Sequence, residues 1–113
     1  MENALYPEAT LEIAKKREQL AHETLHAWRT FSRQVFADGA LPAKTKDLIA
    51  VAVAHVTQCP YCIRAHTKSA LQKGATENEI MEAIWVAAEM RAGGAVAHSA
   101  LAIDVMKEHA SSK

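Results

Sequence analysis

Asp47-Leu48-Ile49-Ala50-Val51-Ala52-Val53-Ala54-His55-Val56-Thr57-Gln58-Cys59-Pro60-Tyr61-Cys62-Ile63-Arg64-Ala65-His66 is the stretch on which the fold turns. Its first half, Leu48 to Ala54, is apolar nearly all round and rich in alanine, the strongest helix former and a poor strand residue. Such a run reads as a deeply buried helix. Thr57-Gln58-Cys59 breaks it, and Pro60 suits the first position of a following helix.

Around this stretch the punctuation is sparse: three prolines and four glycines in 113 residues. Between them the chain is dominated by helix formers, with no hairpin signal and no alternating run bounded by turn residues. The expected architecture is all-α in a single domain over residues 1–113, without repeat, linker or low-complexity stretch. A first helical segment, one helix or two, runs from about Pro7 to Ala37, with an apolar stripe of Leu20, Leu25, Trp28, Phe31 and Val35. Asp38-Gly39 closes it, Gly39 as a C-terminal cap. Pro42 opens the buried helix, and the helix begun at Pro60 closes at Gly74. Thr76 and Glu79 match a capping box, so a fourth helix starts near Thr76 and reaches about Arg91. Gly93-Gly94 is expected to interrupt it, leaving a last helix over roughly Val96 to Glu108.

The chemistry concentrates at Cys59, Cys62 and His66. Cys59 stands at or next to a helix N-cap, where partial positive charge and unpaired N–H groups favour thiolate over thiol. Cys62 lies one turn on, within disulfide reach without unwinding the helix. His66 lies a further turn along the same face, placed to take a proton from Cys62 and return it to a leaving group. Two thiols and a base at one-turn spacing make a reversible dithiol centre. Which thiol attacks is open at this level: the helix start favours Cys59, the imidazole favours Cys62.

Three other readings compete. The pair as plain core is disfavoured by its place at a helix start. A structural zinc site on Cys59, Cys62 and His66 needs a fourth ligand, for which His55 or His98 are the candidates. Cys-Pro-Tyr-Cys is also the glutaredoxin motif, but that fold needs flanking strands and a later cis-proline, and no proline follows Pro60.

The pattern from Lys44 to His66, with Gly74-Ala75-Thr76 and Met90-Arg91-Ala92-Gly93-Gly94, resembles the carboxymuconolactone decarboxylase superfamily, and within it the alkylhydroperoxidase D-like branch, over about residues 25 to 105. The resemblance implies a helical bundle with an antiparallel helix hairpin at its core, assembled as a trimer or hexamer. It implies an antioxidant, thiol-dependent peroxidase or disulfide reductase in which Cys62 is the attacking thiol, Cys59 resolves, and His66 relays protons with the acidic residue twelve positions before Cys59, Asp47. The family residue there is usually Glu, one methylene longer. No cofactor is implied beyond an external dithiol reductant, protein or small molecule. Tyr61 stands where mycobacterial-type enzymes often carry His, and with His55 and His98 it is a candidate for tuning the site. Decarboxylase members typically lack the cysteine pair, so a lactone decarboxylase acting through His and acidic groups is the enzymatic alternative, and a zinc-binding module the non-enzymatic one.

Thirteen basic residues balance thirteen acidic ones, which gives no electrostatic case for nucleic acid or an anionic membrane surface. Lys15-Lys16-Arg17 reads as a solvated helix face. No apolar window long enough to span a membrane is present, and Met1-Glu2-Asn3 opens without a signal-peptide pattern, so the expected compartment is the cytoplasm. Two cysteines in that compartment point to redox or metal chemistry rather than a structural staple. His22-Glu23-Thr24-Leu25-His26 matches the zinc-protease motif but lacks a third ligand and reads as coincidence. His109 reads as solvated. Trp28, Phe31, Trp85 and Met90 read as core or subunit interface, and the surplus of apolar helix surface favours a homo-oligomer.

Overall fold

The computed structural model describes residues 5–112; the opening residues on which the leader reading rests lie outside them. The described residues form five helices and no strand: α1 Leu11–Leu20, α2 His22–Phe36, α3 Ala43–Thr57, α4 Pro60–Gln72 and α5 Glu77–Ser111. They group into two units that divide between Ala43 and Lys44.

The first unit holds α1 and α2. Helix α1 starts at Leu11 rather than at Pro7, because the Thr10 side chain accepts from the Ile13 N–H and supplies the cap that Pro7 lacks. The segment is two helices: Ala21 leaves helical geometry (φ −150°, ψ 55°) while its N–H still donates to the Arg17 carbonyl. Nothing in the local sequence marks Ala21 as the break. Gly39 is not the cap expected of it. Helix α2 ends with Ala37 in extended conformation, and Gly39 sits in the turn beyond, donating to the Leu41 carbonyl. Asp38 closes the turn by accepting from the Ala43 N–H at 2.7 Å. The rings of Trp28 and Phe31 pair at 5.8 Å, and both remain more than half exposed.

The second unit carries the core. Val51 of α3, Ala70 of α4, Ala75 of the α4–α5 turn and Ile80 of α5 form one buried cluster, with Leu48 and Ile84 packed against it. Only one face of the apolar run is covered: Val51 and Ala54 are buried, whereas Ile49 and Val53 are about half exposed in the single chain. The expected burial of the whole run therefore fails within one chain.

Two caps set the connection into α5. Gly74 takes φ +92°, which an L side chain adopts only under strain. There the Ala75 N–H donates to Ala70 and the Gly74 N–H to Leu71, the paired hydrogen bonds of a Schellman end, with Ala70 and Ala75 meeting in the core. Thr76 and Glu79 then complete the expected capping box reciprocally.

The expected interruption at Gly93-Gly94 is absent. Helix α5 runs unbroken through both for 35 residues, about 52 Å at the rise of an α-helix. Neither glycine has positive φ, and the alanines around them propagate the helix past a cost of about 1 kcal/mol per glycine. A Cβ at Gly94 meets nothing within 4 Å, so Gly94→Ala is expected to stabilise the chain by about 0.5–1 kcal/mol in urea denaturation. A loss of stability instead would place a neighbouring chain against that glycine. Trp85 and Met90 are among the most exposed apolar side chains of α5, which removes the core alternative for them and leaves the interface one.

Candidate functional site

The site is built around the reversal between α3 and α4. Gln58 adopts φ 58°, the left-handed conformation that a non-glycine residue holds at a cost of about 1–2 kcal/mol. That single residue turns the chain, and the Cys59 N–H still reaches back to the Ala54 carbonyl at 3.2 Å. Arg91 of α5 donates to the Val56 carbonyl at 2.7 Å, satisfying an end carbonyl of α3 two residues before the turn.

Helix α4 starts as its sequence predicts. Pro60 occupies the first turn and Cys59 is the N-cap, its Sγ accepting from the Cys62 N–H at 3.2 Å. The Cys59 sulfur therefore lies among the free N–H groups that stabilise a thiolate. A disulfide joins Cys59 to Cys62, with Cα atoms 5.3 Å apart.

His66 follows one turn later. Its Nδ1 pairs with Oδ1 of Asp47, projected from the first half of α3, at 3.0 Å. Asp47 is the one buried charged residue among those described, only 1% exposed. Its second oxygen, Oδ2, accepts from Ser69 Oγ at 2.8 Å and from Lys73 Nζ at 2.5 Å. Lys73 Nζ also reaches Ser69 Oγ at 3.2 Å. Burial pushes the Asp47 carboxyl up, but hydrogen bonds from Lys73, His66 and Ser69, with the charge of Lys73, outweigh it and hold the group below its ordinary 3.8. A carboxylate that stays ionised beside an imidazole fixes the ring's orientation and places the Nδ1 proton toward the acid. In the neutral ring this leaves Nε2 as the basic nitrogen.

The structure thus brings four of the residues singled out by sequence to one side of α4: Cys59, Cys62, His66 and, from α3, Asp47. Ser69 and Lys73 went unnoticed. Their signal was the spacing of 66, 69 and 73, which puts all three on one helical face opposite an acid that needs partners. The tuning candidates sit differently. The His55 ring pairs with the Val51 carbonyl of its own helix at 2.7 Å. Tyr61 is in the first turn of α4 and 40% exposed. His98 is exposed on α5, and His109 lies exposed near the end of that helix. On α2, His22 and His26 are exposed, and among the described residues no three His, Cys, Asp or Glu side chains gather as a metal-holding group.

A dithiol at a helix start, with an imidazole–carboxylate pair one turn further on and no strand nearby, defines a class of all-helical proteins distinct from the thioredoxin-like ones. Residues 22–104 match the family model described as carboxymuconolactone decarboxylase, and the chain belongs to that family. An uncharacterised protein of the cox locus of Paracoccus denitrificans is 63% identical over 82 residues, 73% of this chain and 74% of that one. A carboxymuconolactone decarboxylase family protein of Legionella pneumophila shares the fold with a TM-score of 0.66 and 33% identity over 86% of each chain. A family member from Thermotoga maritima, for which an antioxidative role has been suggested, superposes with a TM-score of 0.58 and 28% identity, covering 75% of this chain and 88% of its own. The family includes enzymes. Among the described residues no helix is long and apolar enough to cross a membrane.

Proposed function

We propose that this family member is a thiol-dependent oxidoreductase that reduces a hydroperoxide or a disulfide and is reset by an external dithiol. One observation carries the reading: the Cys59–Cys62 disulfide opens the helix on which, one turn later, His66 is held by a buried carboxylate.

In the reduced pair His66 takes the Cys62 proton, and the thiolate attacks one peroxide oxygen. The O–O bond breaks, Cys62 becomes a sulfenic acid, and the departing alkoxide takes the proton from His66 to leave as an alcohol. Cys59 then attacks the Cys62 sulfur. The S–O bond breaks, water leaves, and the two sulfurs join. An external dithiol reduces that bond in two exchanges and is itself oxidised. With a disulfide as substrate, Cys62 forms a mixed disulfide and Cys59 releases it by the same attack. No metal or organic cofactor takes part in this cycle. A reducing compartment such as the cytoplasm suits it.

The chain acts as a homo-oligomer, a trimer or hexamer, in this reading. The support is the row of half-exposed apolar side chains along α3 and α5, Ile49, Val53, Trp85, Val86 and Met90 among them. The test is turnover of an organic hydroperoxide and of a small disulfide with dithiothreitol as reductant. The expected result is consumption of one or both by the wild type at a rate proportional to enzyme. Equal rates with and without protein for both oxidants would overturn the reading.

A further inference from the structure

Asp47 gives one oxygen to His66 and the other to a pair of donors that the cycle above does not use. Both donors come from α4, and Lys73 is its C-terminal cap residue, seven positions beyond His66. Asp47 has three partners, His66 on Oδ1 and Ser69 and Lys73 on Oδ2, so neither of the last two competes for the oxygen that His66 uses. The ammonium matters in a way that the Ser69 hydroxyl does not. It supplies the opposite charge that a carboxylate out of water requires.

We propose that Lys73 is a positioning residue of the redox site, whose ammonium, seated by Ser69, keeps Asp47 charged and fixed so that the acid can orient His66 toward the cysteines. Lys73 touches neither thiol nor substrate in this scheme and acts through Asp47. The inference rests on the proposed thiol chemistry for its purpose, though not for its geometry. Three other basic side chains of α3 and α5 have partners elsewhere. Lys44, one turn before Asp47 on α3, pairs with Glu79 of α5 at 3.1 Å. Arg91 of α5 is engaged with the Val56 carbonyl, and the His55 ring with Val51. On α4, the groups that bond to Asp47 are His66, Ser69 and Lys73.

Two readouts test the proposal on the full-length protein. The first is the carboxyl carbon signal of Asp47 in an NMR pH titration. In the wild type it is expected to titrate below the ordinary 3.8. In Lys73→Met the lowering hydrogen bond and charge are gone and burial remains, so the titration is expected to move up by about one pH unit or more. Lys73→Arg is expected to restore the wild-type position. Lys73→Gln, a donor without charge, serves if the methionine variant does not fold, and is expected to shift in the same direction. The second readout is the acid limb of peroxide or disulfide turnover, which should move up with the Asp47 titration in Lys73→Met and return in Lys73→Arg. A merely structural lysine would lower the amount of folded enzyme and leave that limb in place. A wild-type Asp47 that titrates at or above 3.8, or a signal or acid limb unmoved in the uncharged variants, would overturn the proposal. Failure of the thiol reading looks different: no turnover by the wild type, with the Asp47 shift still present.

Discussion

Cys62→Ser is expected to abolish turnover, a loss on the order of 10³-fold or more, because a serine hydroxyl in the same place is a far weaker nucleophile than a thiolate. Cys59→Ser is expected to fail differently. It should still attack once and then stop, gaining one oxygen from a hydroperoxide or one half of a disulfide substrate. The contrast decides the order of attack, which the geometry frames sharply. The Cys62 N–H donates to the Cys59 sulfur, so the helix start stabilises Cys59 as the thiolate released when the disulfide is reduced. His66 stands one turn beyond Cys62, and in the proposed cycle it serves that thiol instead. Mass spectrometry of each variant after one equivalent of organic hydroperoxide checks it. An added oxygen on Cys62→Ser, with none on Cys59→Ser, would exchange the two roles.

Asp47→Ala is expected to cost about 2–3 kcal/mol of stability in urea denaturation. Removing one partner of a fully buried pair typically costs ~3–5 kcal/mol, and Lys73 and His66, each about a third exposed, recover part of that by returning to water. The same network predicts an acid dependence. The folded group titrates below its ordinary 3.8, so its contribution is fully present above that value and is lost as the pH falls through the depressed folded one. Asp47→Asn, nearly the same shape without the charge, should show a shallower loss of urea midpoint between about pH 4 and pH 2 than the wild type. Parallel curves for the two proteins would place the acid sensitivity elsewhere.

What the sequence made legible follows from distance along the chain. Cys59, Cys62 and His66 sit on consecutive turns of one helix, so spacing alone placed them together, and Pro60 announced where that helix starts. Gly74 and the Thr76–Glu79 box were equally local, each a hydrogen-bonding arrangement closed within a few residues. The misreadings came where a local signal had to be weighed against its surroundings. Gly93-Gly94 looked like a break, yet a glycine ends a helix only when the chain turns left-handed there, and Gly74 does so while these two do not. Pro7 lost to Thr10 because an accepting side chain three residues before Ile13 satisfies a free N–H that proline leaves open. Spacing puts Ser69 and Lys73 on the face of His66, but that Asp47 meets this face depends on how α3 approaches α4, which spacing along one helix does not encode. The composition of the run from Leu48 to Ala54 predicts burial all round. One face is covered within the chain, and the proposed oligomer would cover the face bearing Ile49 and Val53.

In the proposed cycle Cys59 and Cys62 form a working redox pair, and its test is the intact mass of the reduced protein before and after one equivalent of organic hydroperoxide. The expected result is the loss of two hydrogen atoms per chain, fully reversed by dithiothreitol. A mass that stays unchanged while the hydroperoxide persists would contradict it and leave the lactone chemistry of the family's name as the reading to pursue.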